Sequence, residues 1–409
     1  MDFTDEKKYI VQKSIQAILP EESVKKAIKE IPHQSAGNNV LISLGKAAWR
    51  MAKAALSSGI KFDDGLVVTK YGHSRGELDQ QIEIIEAGHP LPDENSLRAA
   101  EKAIEKVESL TDKDRVFFLL SGGGSSLFEK PKISLGELEN VYQQLLSCGA
   151  NIVESNIIRK RLSLVKGGRF AELISPAQVY NIILSDVIGD EVDMIASGPT
   201  YPDSSTYTDA KNIVEKYDLK LSDKAHKILE CETPDKLSNT KTIVSGSVDE
   251  LCLAAKGACE ELGYDATILT TCMTCFAKDA GSLMGSIAYT NRNRKNTAYI
   301  FGGETVVNIT GEGKGGRNQE IAISASEKIS GLENVFIFSF GSDGTDGPTD
   351  AAGGYADGNT LNNLKNHNLS VDAILKENDS YNALKAIGGL IVTGPTGTNV
   401  NDVSVILIK

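Results

Sequence analysis

Apolar positions along the chain follow two rhythms. Val11, Ile15, Ile18 and Leu19 lie on one helical face, and beyond Pro20 the set Val24, Ala27, Ile28 and Ile31 repeats that spacing. Two amphipathic helices are predicted at the start. From Val40 onward, short strand-like runs alternate with helical stretches: NNVLISLG before KAAWRMAKAALSSG, GLVVTK, QIEIIEAG before SLRAAEKAIEKVESL, DRVFFLLSGGG before SLGELENVYQQLLSCG, and then VYNIILSDV. That alternation predicts a parallel sheet covered by helices on its faces. A charged, turn-rich passage at residues 229–242, LECETPDKLSNTKT, interrupts the rhythm. After it TIVSGS, DATILTT, NTAYIFGGE, VVNITGEG, VFIFSFGSDG, GLIVTGPTG and VSVILIK read as further strands between helices. The expectation is two α/β domains, residues 1–240 and 241–409, with no fixed-period repeat between them.

Composition narrows the function classes. The 409 residues are 41% hydrophobic and 24% charged, an ordinary composition for a soluble protein. The apolar runs fall far short of the roughly 20 residues of a membrane helix, and MDFTDEKKYIVQKS lacks the apolar stretch of a signal peptide. A cytoplasmic protein without a membrane partner is expected. A net charge of −12 argues against nucleic acid as a partner, because phosphate backbones are held by clustered Lys and Arg. A homo-oligomer is possible, and the sequence does not fix the oligomeric state. The six cysteines form no regular disulfide framework, and Cys272 and Cys275 have metal or redox spacing without a second pair to complete a zinc site.

In open α/β sheets ligands bind beyond the carboxyl ends of the strands, so the residues following each apolar run carry the information. LISLGK ends in Gly45 and Lys46, FFLLSGGGSS in Ser121, Gly122, Gly123, Gly124, Ser125 and Ser126, IILSDVIGD in Ser185, Asp186 and Asp190. FSFGSDGTDG ends in Ser342, Asp343, Thr345 and Asp346, and IVTGPTGTN in the stretch from Thr393 through Thr396 to Asn399. Any one of these makes an ordinary turn or cap. Together they point to a polar cleft. Three glycines followed by two serines after a buried strand offer bare amides and small hydroxyls, which suit a phosphate or a carboxylate.

The segment NITGEGKGGRNQEIAIS holds Gly311, Gly313 and Gly316, a formal G-x-G-x-x-G that alone suggests a dinucleotide. Against that, no acidic residue ends the next strand about 20 positions on, where a ribose partner belongs. Lys314, Gly315, Gly316 and Arg317, a basic pair around glycines at a helix start, suit a transferring phosphoryl group better. The P-loop and protein-kinase signatures are missing. Asp343, Asp346 and Asp350 do not fit an EF-hand, but magnesium carried in with a nucleotide needs only one or two carboxylates. Asp186 and Asp343 are the candidates for orienting the acceptor, and Asp190 and Asp346 for the metal. His73 and His89 follow strands and are read equally well as turn residues or as lining a cleft.

Taken together, LGKAA, KYGHS, EAGHPLPDENS, LLSGGGSSL, RKRLSLVKGGRFA, LSDVIGDEVDMIASGPTYPD, GGETVVNITGEGKGGRNQE, GSDGTDGPTDAAGG, NDSYNAL and TGPTGTNVNDVSVILI resemble the glycerate 2-kinase family, the class II enzymes with a C-terminal MOFRL domain. The resemblance runs from about residue 38 to the last residue. It implies ATP-dependent phosphorylation of D-glycerate to 2-phosphoglycerate with Mg²⁺ or another divalent cation. It also implies two three-layer α/β domains around a cleft, a largely parallel Rossmann-like N-terminal one and a mixed C-terminal one. The lysine of the family's GKAA falls on Lys46 and the arginine of its GGRNQE on Arg317. Some members carry the name hydroxypyruvate reductase, and an NAD(P)H-dependent reductase using residues 311–316 as its cofactor loop is the alternative.

Overall fold

A computed structural model describes residues 2–33, 36–185 and 192–409. The chain divides into two compact units, Pro20–Ser245 and Met1–Leu19 with Gly246–Lys409. Each is α/β.

In the first unit β1 (Asn39–Leu44), β2 (Asp64–Lys70), β3 (Ile82–Ala87), β4 (Arg115–Leu120), β5 (Gln178–Ile183) and β6 (Thr240–Val244) form a sheet in the order β3-β2-β1-β4-β5-β6. Every pairing is parallel. Burial of β1 and β4 on both faces explains their unbroken apolar runs. Val40, Ile42, Val116 and Phe118 enter one core, while Leu41, Phe117 and Leu119 enter the other, which makes three layers. TIVSGS, expected beyond the boundary, is the sixth strand of this sheet, so the division falls between residues 245 and 246.

The second unit has a mixed sheet of β7 (Asp265–Met273), β8 (Thr297–Gly303), β9 (Val335–Gly341), β10 (Gly353–Asp357), β11 (Leu390–Ile391) and β12 (Asp402–Ile408), in the order β11-β10-β9-β12-β8-β7. Only β7 and β8 are parallel to each other. The first helix, Phe3–Ala17, capped by Asp2, brings Ile10, Val11 and Ile15 to the core beneath Phe338 and Val405. Its place with the C-terminal unit corrects the expectation that residues 1–240 form one domain. An amphipathic helix carries no label for the sheet it will cover.

VVNITGEG, expected to be a strand, makes a single bridge at Val306. Its backbone is held elsewhere: the amides of Thr310 and Gly311 donate to Asn378 Oδ1, at 2.7 and 3.0 Å, and that of Gly313 to the Glu377 carbonyl. All six cysteines are free. Among the described residues no helix is long and apolar enough to cross a membrane.

Candidate active site

The strand order of the first unit places its reversal point between β1 and β4, where doubly wound sheets open a crevice at the carboxyl ends. Two loops meet there. β1 runs through Gly45, Lys46 and Ala47 into the helix Ala48–Leu56, and β4 runs through Ser121, Gly122 and Gly123 into the short helix Gly124–Leu127. They are stitched together: Ser121 N donates to the Leu44 carbonyl (2.9 Å), Lys46 N to the Gly122 carbonyl (3.0 Å), and Ala47 N to Ser121 Oγ (3.1 Å).

This geometry explains why side chains are excluded. A Cβ at Gly124 would stand 2.8 Å from the Ala196 Cβ. Gly123 adopts φ +87°, and a Cβ there would lie 3.2 Å from His89 Cδ2 and Nε2 and from Lys46 Cε. Part of the glycine requirement is therefore packing of the chain on itself. Replacing Gly123 by Ala is expected to destabilise the protein by about 1–2 kcal/mol through the left-handed backbone alone, and urea unfolding measures it. An unchanged midpoint would mean that the loop does not hold this conformation.

The six residues expected to cradle an anion divide accordingly. Ser121 braces the other loop, Ser125 Oγ meets Ser197 Oγ at 3.1 Å, and Ser126 Oγ turns back to the Gly123 carbonyl at 3.4 Å. Gly122 and Gly123 keep amides that meet no acceptor among the described residues. Beside them stands exposed Lys46, whose Nζ pairs with no carboxylate among the described residues. Lys70 adds to the positive character, and His73 and His89 belong to the same neighbourhood. Burial lowers the His89 pKa from its ordinary value, and Lys46, Lys70 and His73 lower it further. Two acids of the following segments are occupied: Glu86 accepts from the amides of Gly72 and Ser74, and Asp93 from the Tyr71 hydroxyl.

Asp186 and Asp190 lie outside the described residues. The segment just after them is braced by groups whose roles sequence reasoning missed. Buried Lys160 reaches Asp193 (2.9 Å) and Asp203 (3.2 Å), and Ser197 Oγ donates to Asn156 Oδ1. Ala196, Ser197 and Gly198 all take positive φ, a strained run for the first two. Within the same RKRLSLVKGGRFA motif, Arg161 is wholly buried against Glu232, and Lys166 and Glu129, both 0% exposed, pair at 2.8 Å. Only the unusual density of cations in one short stretch signalled them.

The C-terminal candidates cluster at the start of the helix Arg317–Ser326, whose N-cap is Gly316. Arg317 is paired on both sides: Nε and Nη2 hold the Asp402 carboxylate and Nη1 reaches Glu304 at 2.6 Å. Asp346 is a buried cap. Its Oδ1 accepts from Asn318 N and its Oδ2 from Gln319 N, and burial pushes its pKa up to about 7. Both oxygens are turned onto helix amides, a geometry that offers a metal little. Burial likewise pushes Asp402 up to about 6 even with Arg317 beside it. Asp343 is half-buried and accepts from Thr345 N (2.9 Å), and Thr396 supports it by donating Oγ1 to the Ser342 carbonyl and N to the Asp343 carbonyl. Asn399 Oδ1 accepts from Asn401 N at 3.4 Å within the same turn. Lys314 N donates to Asp379 Oδ1 and its Nζ lies 4.7 Å over the Tyr381 ring. A cleft of about 580 Å³ is lined by Arg317, Asp343, Thr345, Gly313, Gly315 and Ser380 among others. No group of three His, Cys, Asp or Glu among the described residues is arranged to hold a metal.

Gly311 and Gly313 do not form an open cofactor loop. Cβ atoms there would lie 2.4 Å from the Glu377 backbone, and their amides are bound to residues 377 and 378.

Known proteins match this chain over nearly all its length. Residues 6–230 match a family described as a domain of unknown function, DUF4147, and residues 297–402 match the MOFRL family. The D-glycerate 2-kinase of Thermotoga maritima is 50% identical over 407 residues, covering 98% of this chain and 97% of the relative. The glycerate 2-kinase of Pyrococcus horikoshii is 44% identical over 390 residues, 91% and 88% of the two chains. A crystal structure of glycerate kinase from Thermotoga maritima superposes with a TM-score of 0.93 at 49% identity over 98% of each chain.

Proposed function

The chain belongs to the glycerate 2-kinase family, and we propose that it transfers the γ-phosphoryl group of ATP to the 2-hydroxyl of D-glycerate, giving 2-phosphoglycerate and ADP. The observation that carries this reading is the β1/β4 crevice, where Lys46, with no carboxylate partner among the described residues, stands beside the amides of Gly122 and Gly123, which meet no acceptor among them. Phosphoryl transfer demands positioning and neutralisation of charge on the equatorial oxygens more than covalent help. Fixed amides and one ammonium group supply that without reorganising during the reaction.

Within the C-terminal unit, the cleft with Asp343, Gly315 and Gly316, next to Lys314 in the chain, is proposed to bind part of the substrates, with Thr396 and Asn399 shaping its loops. Asp343 is the carboxylate there that would hold Mg²⁺ or a similar cation, whose chemistry would be to offset the charge of the phosphates. Arg317 is proposed to act on phosphate through a guanidinium already oriented by Asp402 and Glu304. We also propose a cytoplasmic enzyme of small molecules, with no nucleic-acid or membrane partner. The reductase alternative has no loop to stand on, because residues 311–313 are bound to residues 377 and 378.

Incubation with ATP, Mg²⁺ and D-glycerate, coupled to enolase without phosphoglycerate mutase, is expected to give signal at once. Signal that waits for added mutase would mean 3-phosphoglycerate and would overturn transfer to the 2-hydroxyl.

A further inference from the structure

His89 follows β3 and is half-buried, yet neither ring nitrogen has a hydrogen-bond partner among the described residues. A turn histidine kept for structure would normally bond its neighbours, as His73 does with the Lys46 carbonyl at 3.3 Å. The ring instead borders the space over Gly123: a Cβ on that glycine would touch both His89 Nε2 and Lys46 Cε at 3.2 Å. One bare Cα thus separates a free imidazole nitrogen from the proposed phosphate-binding lysine.

We propose that His89 is a catalytic residue, the group that receives the proton of the acceptor hydroxyl. The inference rests on the kinase reading above. The O–H bond of the 2-hydroxyl breaks and its proton passes to the imidazole nitrogen, while the oxygen lone pair forms the new bond to the γ-phosphorus. The bond from that phosphorus to the bridging oxygen breaks with its electron pair left on ADP, and the imidazolium then releases its proton to solvent. Among the described residues the charges that act on the ring are those of Lys46, Lys70 and His73, and with burial they favour the neutral imidazole that a proton acceptor must be. Among the described residues no carboxylate pairs with the ring.

The base must be neutral, so activity is present above the His89 pKa and lost as pH falls through it. Wild-type kcat is therefore expected to fall along an acidic limb below the ordinary imidazole value of 6.5. With wild-type turnover of ATP and D-glycerate measured first, absence of turnover defeats the kinase reading irrespective of His89. Given turnover, His89→Gln is expected to lower kcat by about 10²–10⁴, with KM for D-glycerate nearly unchanged and the acidic limb gone. Added imidazole is expected to restore part of the rate of His89→Ala. Retained kcat, a raised KM with kcat unchanged, or an acidic limb that survives in the variant overturns the proposal. Should His89→Gln fail to fold, His89→Asn gives the same readouts, and a wild-type profile without an acidic limb overturns it by itself.

Discussion

Lys46→Ala is expected to lower kcat/KM for D-glycerate phosphorylation by about 10²–10³ while leaving the melting temperature where it was. The two halves of that expectation come from the same geometry. Lys46 is exposed and its Nζ pairs with no carboxylate among the described residues, so its removal breaks no ion pair and strands no buried charge. Its place in the sheet is held by the backbone, through Lys46 N to the Gly122 carbonyl and Ala47 N to Ser121 Oγ, and alanine keeps both bonds. What is lost is a cation aimed at charge that develops on the transferring group, in a site where few other groups can replace it. Steady-state kinetics beside thermal unfolding make the check. Activity within about threefold of wild type, roughly 0.65 kcal/mol, would remove Lys46 from the reaction. Arg317 differs in kind, because Asp402 and Glu304 already neutralise it and its loss would leave Asp402 buried and alone.

Lys166→Met is expected to cost about 3–5 kcal/mol of stability, the usual cost of leaving one member of a buried ion pair behind. Lys166 and Glu129 are both fully buried, with Nζ 2.8 Å from Glu129 Oε2 and 2.6 Å from the Phe128 carbonyl. The Tyr142 hydroxyl donates to the same carboxylate at 3.1 Å, and Glu129 Oε1 has no partner among the described residues. Burial lowers the Lys166 pKa and raises that of Tyr142 well above its ordinary value, so the network sits where charge is costly and depends on pairing. Removing both charges with Lys166→Met and Glu129→Leu is expected to recover most of the loss, since no lone charge then remains. Urea denaturation of the two variants makes the comparison. A Lys166→Met protein within about 1 kcal/mol of wild type would mean that the pair is not desolvated as described.

Much of this molecule could be read without a structure, and the places where reading failed share a cause. The runs at residues 116–120 and 405–408 read as strands because a strand buried on both faces is apolar along most of its length. β10, GGYAD, was invisible: its composition disfavours strands, and Gly353 is there because a Cβ would stand 2.0 Å from the Ser339 carbonyl of the neighbouring strand. VVNIT looked like a strand and is not one, because Asn378, far along the chain, takes its amides.

The candidate site divides in the same way. Glycine-rich strand ends and two cations beside glycines were legible, since small residues at strand termini mark close approach wherever it comes from. That Gly124 approaches Ala196, that Asp346 caps a helix starting 29 residues before it (346 − 317), and that Arg317 binds Asp402 were not. The sequence by itself determined the alternation of elements, the family and the loops that carry polar chemistry, because these depend on local periodicity and on residue types at short spacing. Only the tertiary structure decided which cations are paired, which carboxylates are caps, and that a histidine with no partner among the described residues borders Gly123 and Lys46, because charge and hydrogen bonding are settled between residues that the chain brings together from far apart.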